Sequence, residues 1–108
     1  MNDKSPAGAK SIAPPRNTSI NLPLGRLLST PGAIEAMAKA GQDPLELINR
    51  HRTGDWGDVD AQDWAANDQA ANAGERVLSA YTVQGGVRIW IISEADRAAT
   101  TVLLPDEY

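Results

Sequence analysis

The sequence contains no cysteine, no phenylalanine and no apolar run long enough to span a bilayer. The lack of cysteine excludes a disulfide framework, a thiolate zinc site and a cysteine nucleophile, so the fold must be held together by packing. The longest apolar stretch, residues 87–92, is short and interrupted by Arg88, and no apolar segment follows the charged N-terminal residues as a signal peptide requires. These absences favour a cytoplasmic protein that does not associate with membranes.

The charge of the chain is unevenly distributed. Residues 1–20 carry three basic side chains and one acidic side chain, a net charge of +2, whereas the whole chain carries −4, so the remaining residues carry −6. An acidic domain is poorly suited to binding nucleic acid by neutralising phosphates, and −6 is also modest for a mimic of DNA charge. No glycine-rich nucleotide loop is present, so no cofactor is expected. A protein partner is therefore favoured over nucleic acid.

The N-terminal segment differs in composition from the rest of the chain. Residues 1–20 are rich in serine, proline, alanine and lysine, contain only two isoleucines and show no periodicity. Such a segment cannot bury enough apolar surface to offset the entropy of ordering it. The sequence therefore predicts a disordered N-terminal arm over residues 1–20 and a single domain over residues 21–108.

Three short helices are predicted from their start and stop signals. Thr30 and Pro31 begin a helix that ends before Gly41, so helix 1 is expected over residues 31–40. Asp43, followed by Pro44 and Glu46, has the spacing of a capping box, and this helix is expected to reach residue 51 or 52. A third helix is expected over residues 61–73, and residues 21–29 are expected to dock on the core as an extended segment or single turn.

The period of the sequence changes to two after residue 76. Val77, Ser79 and Tyr81 point one way and alternate with Leu78 and Ala80, which point the other way, and this period predicts a strand. A glycine pair at residues 85–86 provides a hairpin turn, and strands are predicted over residues 87–92 and 100–104. The sequence therefore predicts an α+β domain in which three short N-terminal helices pack on a C-terminal three-stranded antiparallel meander.

An acidic loop follows the second helix and suggests a binding surface. Five aspartates fall within fourteen residues, but their spacing does not match an EF-hand, so helix capping and solvated charge are expected rather than a metal site. Trp56 lies in this loop between two glycines, and an indole ringed by carboxylates is typical of a binding hot spot. The predicted contact residues are Asp55, Trp56, Asp58 and Asp60; the alternative is that Trp56 folds back onto the core.

A catalytic alternative depends on His51, the only histidine of the chain. Small metal-independent ribonucleases and toxins combine a helical layer with an antiparallel sheet, and they use a base together with arginines and hydroxyls. Residues of the required types are His51, Arg76, Ser79, Tyr81, Arg97 and Thr100. A lone histidine at the C-terminal end of a helix is more often a surface or capping residue that suits the helix dipole, so His51 remains open to both interpretations.

Several segments together resemble one family. They are Gly54-Asp55-Trp56-Gly57-Asp58, Asn67-Asp68, residues 76–81, Ile89-Trp90-Ile91-Ile92-Ser93-Glu94-Ala95-Asp96-Arg97 and Thr100-Thr101-Val102-Leu103-Leu104-Pro105. The chain resembles, over residues 22–108, a family of small uncharacterised accessory proteins found on plasmids, phages and integrated elements. Similar proteins often carry the label of a type I restriction enzyme modification subunit. The sequence lacks the glycine-rich methyl-donor loop and the Asn-Pro-Pro-aromatic motif of such an activity.

The resemblance implies an accessory protein of a mobile element, with no catalytic residues to transfer. We therefore expect a non-enzymatic interaction module that binds a host or element-encoded protein in counter-defence or plasmid maintenance. The ribonuclease or toxin that uses His51 is the alternative function.

Overall fold

The computed structural model describes residues 20–108, which fold into three helices and one four-stranded sheet. The α+β class predicted from the sequence is confirmed. The elements are β1 (Arg26–Ser29), α1 (Pro31–Ala40), α2 (Pro44–Arg52), α3 (Ala61–Ala73), β2 (Val77–Thr82), β3 (Arg88–Ser93) and β4 (Ala99–Leu103), followed by a 3₁₀ turn (Pro105–Glu107).

The sheet has the strand order β1-β4-β3-β2. The expected antiparallel meander is formed by β2, β3 and β4, but it is not the whole sheet. β1 adds a fourth strand that runs parallel to β4, with Leu27 opposite Thr100 and Leu28 opposite Thr101. The prediction of three strands that all follow the helices is thus wrong in detail. β1 has only four residues, and a strand this short leaves almost no period-two signal in the sequence.

The helices begin and end where local signals place them. The Thr30 hydroxyl accepts a hydrogen bond from the Ala33 N–H at 3.1 Å, and the Asp60 carboxylate accepts one from the Asp63 N–H at 2.8 Å. Gly41 ends α1 in the left-handed conformation that glycine adopts without strain. Of the helices in residues 20–108, none combines the length and apolar character needed to cross a bilayer.

The helices pack on one face of the sheet, where the inward side chains of the strands are buried. One apolar cluster joins α1 and α2 to the sheet through Met37, Leu47, Ile89, Ile91 and Val102, among others. A second cluster contains Ile20, Leu22, Trp56, Trp64, Ala70 and Val77. The sequence places Ile20 in the predicted arm, but Ile20 is buried in this cluster, so the domain includes one residue more than predicted. The remainder of the predicted arm, residues 1–19, lies outside the described residues.

The central position of β3 generates a stability prediction. Ile89 lies on β3, between β2 and β4, and is fully buried, so Ile89→Ala should lower the free energy of unfolding by about 2–5 kcal/mol. Ile34 on α1 is exposed, so Ile34→Ala should change it by less than about 0.5 kcal/mol. Urea denaturation of both variants checks the prediction, and similar losses in the two would contradict the assignment of the buried face.

Candidate functional site

His51, the central residue of the catalytic hypothesis, is fully buried beneath the helical layer. It lies near the end of α2, and both ring nitrogens are hydrogen-bonded to serines of the sheet. Nδ1 lies 2.6 Å from the Ser79 Oγ on β2, and Nε2 lies 2.9 Å from the Ser93 Oγ on β3. Ser79 and Ser93 are also fully buried. The ring is therefore enclosed by protein on both of its polar sides.

The hydrogen-bond chain continues beyond Ser93 and has a defined end. The Ser93 Oγ lies 2.7 Å from the Thr100 Oγ1 on β4, which lies 2.8 Å from the Leu24 carbonyl oxygen. A carbonyl oxygen can only accept, so the Thr100 hydroxyl donates to Leu24. Thr100 then has no proton left for Ser93, so the Ser93 hydroxyl must donate to Thr100.

This sequence of donors fixes the tautomer of the histidine. Because the Ser93 proton is directed at Thr100, Ser93 can only accept from the ring, and the proton of His51 must lie on Nε2. Nδ1 then accepts from the Ser79 hydroxyl. Each donor of this hydrogen-bond chain donates once, and every bond is directed from Ser79 toward Leu24. The imidazole is satisfied in its neutral form.

Burial has a large effect on the acidity of this ring. Loss of hydration, with a smaller contribution from the positive charge of Arg97, lowers the pKa of His51 from the ordinary value of 6.5 to about 3. A second proton would have to lie on Nδ1, where the Ser79 hydroxyl already donates. A histidine that acts as a general base near neutral pH needs the opposite properties, namely a ring that can reach the substrate and a pKa near 7.

The structure brings together three members of the predicted catalytic set, His51, Ser79 and Thr100, but uses the others elsewhere. Arg97 donates from its guanidinium to the carbonyl oxygens of Ala70, at 3.1 Å, and Glu75, at 2.7 Å, and so caps the C-terminal end of α3. Arg76 is hydrogen-bonded to the Tyr108 hydroxyl. Neither arginine is directed at His51 as a phosphate-binding group.

Tyr81 also has a structural partner. Its hydroxyl donates to the Asp55 carbonyl oxygen at 2.6 Å, and the Arg50 guanidinium lies 4.7 Å from the centre of its ring. Burial raises the pKa of Tyr81 well above its ordinary value. Tyr81 therefore stays protonated and anchors the loop that follows α2.

Trp56, the predicted anchor of an exposed binding patch, is 0% exposed. Its Nε1–H donates to the Asp68 carboxylate at 2.9 Å, and its ring meets the His51 ring edge-on, with centroids 5.7 Å apart. The expectation of a solvent-facing indole is wrong, and the alternative interpretation, in which Trp56 packs in the core, describes the structure. The reason is a long-range contact: Gly57 pairs with Ala80, which draws the loop against the sheet.

The acids around Trp56 have separate local roles. The Asp55 carboxylate forms an ion pair with Arg50 at 2.8 Å and also accepts from the Gly57 N–H. Asp60 caps α3, whereas Asp58 is exposed. Within the described part of the chain, no group of three His, Asp or Glu side chains is arranged to hold a metal ion. Asp55, Asp58 and Asp60 therefore do not surround an apolar anchor.

The two edges of the sheet differ, and sequence reasoning missed this difference. On β2, alternate residues direct their backbone groups away from β3. Leu78 is paired with the Asn67 side chain, whose Nδ2 donates to the Leu78 carbonyl at 2.8 Å and whose Oδ1 accepts from the Leu78 N–H at 3.3 Å. Ala80 donates to the Trp56 carbonyl at 3.1 Å and accepts from the Asp58 N–H at 2.6 Å. Most of the outward backbone groups of β2 are thus hydrogen-bonded within the protein.

The β1 edge, in contrast, has backbone groups with no partner among residues 20–108. The Arg26 N–H donates to the Ala98 carbonyl and the Thr30 N–H donates to the Val102 carbonyl, each at 3.0 Å. Because hydrogen bonding alternates along a strand, the N–H and C=O of Leu27 and Ser29 point away from β4. No segment of residues 20–108 pairs with them. Leu27 is 48% exposed and Leu28 is 41% exposed, on opposite faces of the sheet.

Comparison with known proteins adds no relative: no family model, no curated protein and no solved structure matches this chain. The buried hydrogen-bond chain and the open strand edge are the features from which function can be argued.

The low pKa of His51 predicts a specific loss of stability in mild acid. Above pH 6.5 the histidine is neutral in both the folded and unfolded chains, and the full stability is present. Below pH 6.5 the unfolded chain takes up a proton that the folded chain accepts only near pH 3. The free energy of unfolding should therefore fall by up to about 1.4 kcal/mol per pH unit in this window.

Carboxylates titrate mainly below about pH 5, so the comparison is made between about pH 5 and 6.5. Chemical denaturation of the wild type should show the slope there, and His51→Gln, whose side chain does not titrate, should lose it even if it is less stable at every pH. An equal slope in the two proteins would show that another group is responsible.

The buried position of Trp56 predicts a large effect of its removal. Trp56→Ala should lower the free energy of unfolding by about 3–5 kcal/mol, because it removes a filled volume and the partner of Asp68. Asp58→Ala is the matched control from the same loop, since this side chain is exposed, and its effect should stay below about 0.5 kcal/mol. Urea denaturation of both variants measures the difference. A Trp56→Ala protein as stable as the control would contradict the burial of the indole.

Proposed function

We propose that this protein is a non-enzymatic interaction module that binds another polypeptide by strand addition at β1. The observation that carries the proposal is the contrast between the two edges of the sheet. Leu78 and Ala80 on β2 have their outward backbone groups paired, whereas Leu27 and Ser29 on β1 leave theirs available. An exposed strand edge with apolar side chains is a template for pairing with a further strand.

The chemistry available at this edge suits an extended peptide. The outward N–H and C=O groups of two residues provide the main-chain hydrogen bonds that give affinity in strand addition. Leu27 and Leu28 provide apolar contacts on the two faces of the added strand, which is where side-chain preference arises. Arg26 is the only charged residue of β1, so the edge itself does not repel an incoming strand.

Catalysis receives less support from the geometry. A ribonuclease that used His51 would need the ring to reach a substrate, but the ring is fully buried and both nitrogens are occupied. The arginines of the hypothesis, Arg76 and Arg97, are directed at Tyr108 and at backbone carbonyls. The binding function requires none of these groups to be rearranged.

The biological setting is proposed from the sequence resemblance. The similarity to accessory proteins of plasmids, phages and integrated elements supports a role in counter-defence or plasmid maintenance, with a host or element-encoded protein as partner. The charge of −6 on residues 21–108 supports a protein rather than a nucleic acid in that role.

A proline substitution tests this proposal without removing a backbone hydrogen bond of the sheet; it removes only the weak, exposed bond from the Ser29 hydroxyl to the Thr30 carbonyl, at 3.3 Å. The Ser29 N–H points away from the sheet, so Ser29→Pro should leave the thermal midpoint nearly unchanged while it removes a donor that strand addition needs. Capture of the partner from the native host by tagged protein should be lost. Thr82→Pro is the matched control, because Thr82 is an exposed residue in the outward-facing series of the opposite edge strand.

Partner capture that is equal for the wild type and both variants would reject β1 as the binding edge. Loss in both variants would show a general effect of proline and would likewise remove the support for β1.

A further inference from the structure

The β1 edge is complementary to itself in one antiparallel register. Its two outward-facing residues, Leu27 and Ser29, lie symmetrically on either side of Leu28. We infer that the strand that pairs with β1 belongs to a second copy of this chain, related to the first by a twofold axis through Leu28. The inference rests on the proposed function and narrows its partner: of the host and element-encoded proteins proposed there, the second copy of this chain is the one that occupies the β1 edge.

The hydrogen bonds of this pairing follow from the register. Leu27 of one copy lies opposite Ser29 of the other, and such a pair exchanges two N–H···O=C bonds. The twofold axis repeats the pair, so all outward groups of Leu27 and Ser29 in both copies are satisfied. Two four-stranded sheets then form one continuous eight-stranded sheet. An interface that places the same patch on both subunits is the commonest kind in homo-oligomers.

The side chains are compatible with this arrangement. Leu28 meets Leu28 of the second copy at the axis, which places two half-exposed apolar side chains against each other. Arg26 lies opposite Thr30, so the two copies of the only charged residue on β1 are not juxtaposed. Pro31 follows Thr30 and has no N–H, so it ends the ladder at each side. No like charges oppose each other across the pair.

The size of the contact sets the strength of the association. Each copy contributes four strand residues, which is well below the 20–30 residues per side, roughly, of a standard stable interface. A reversible, concentration-dependent dimer is therefore expected rather than an obligate one.

A single engineered cysteine tests both the pairing and its register, because the chain has no cysteine of its own. Leu28 and its symmetry mate form a non-hydrogen-bonded pair with Cα atoms about 4.5 Å apart, within the range of about 4.4–6.8 Å that a disulfide spans. Oxidation of Leu28→Cys should therefore give a covalent dimer on a non-reducing gel. Adding Ser29→Pro to the same protein should suppress it.

Two control positions separate this pairing from chance collision. Val87→Cys lies in the β2–β3 turn at 40% exposure, which matches the 41% of Leu28. Leu27→Cys lies on β1 itself, but its symmetry mate is displaced by two residues, roughly 7 Å along the strand, beyond the reach of a disulfide. Leu28→Cys should form the dimer about tenfold faster, or more, than either control.

Each outcome is informative. Cross-linking of Leu28→Cys no faster than Val87→Cys would overturn the dimer, and faster cross-linking of Leu27→Cys would overturn the twofold axis at Leu28. Capture of a different protein that is lost in Ser29→Pro would, in either case, still support strand addition at β1. Failure of both experiments would reject the edge as a binding site altogether.

Discussion

The buried hydrogen-bond chain through His51 joins elements that are far apart in the sequence. It connects α2 to β2 through Ser79 and to β3 through Ser93, and it reaches the segment before β1 by way of Thr100 on β4. The four side chains of the chain are fully buried, so a break between them would leave buried groups unsatisfied at about 1–3 kcal/mol each. The same polar contacts thus link the position of α2 over the sheet to the placement of the segment before β1, in addition to the apolar packing of Leu47 and Leu22.

The same chain explains why the protein contains the residue types of a small ribonuclease without their arrangement. A histidine, two serines and a threonine do meet, but each hydroxyl proton has an internal acceptor and the ring is neutral. Charged and nucleophilic forms are both disfavoured, because the site is dry and its donors are already used. Residue types that also occur in catalytic sites here form a buried polar layer of the core, in which each hydroxyl has an acceptor.

Local signals in the sequence predicted the three helices and strands β2, β3 and β4, whereas β1 and the contacts between elements depend on parts of the chain that are far apart. Thr30, Asp60 and Gly41 act within one turn of chain, so the helix ends could be predicted. The burial of His51 was also accessible, because it lies four residues after Leu47 on the same side of α2. The register of the strands decides which inward hydroxyl groups lie next to His51. β1 is too short to show the alternation of apolar and polar residues that predicts a strand. The polar partners of His51 and the open edge were therefore not predictable from periodicity.

Trp56 shows how the core and the edge of the sheet are coupled. Its indole packs edge-on against His51 and bonds to Asp68, and this fixes the backbone that pairs with Ala80 on the β2 edge. The pairing needs glycine at position 57, because a side chain there would collide with the Ala80 carbonyl. Trp56, whose local sequence suggested a binding surface, thus holds the loop that pairs with the β2 edge of the sheet. No equivalent cover exists for β1 among residues 20–108, so β1 is the edge at which the proposed strand addition finds unpaired backbone groups.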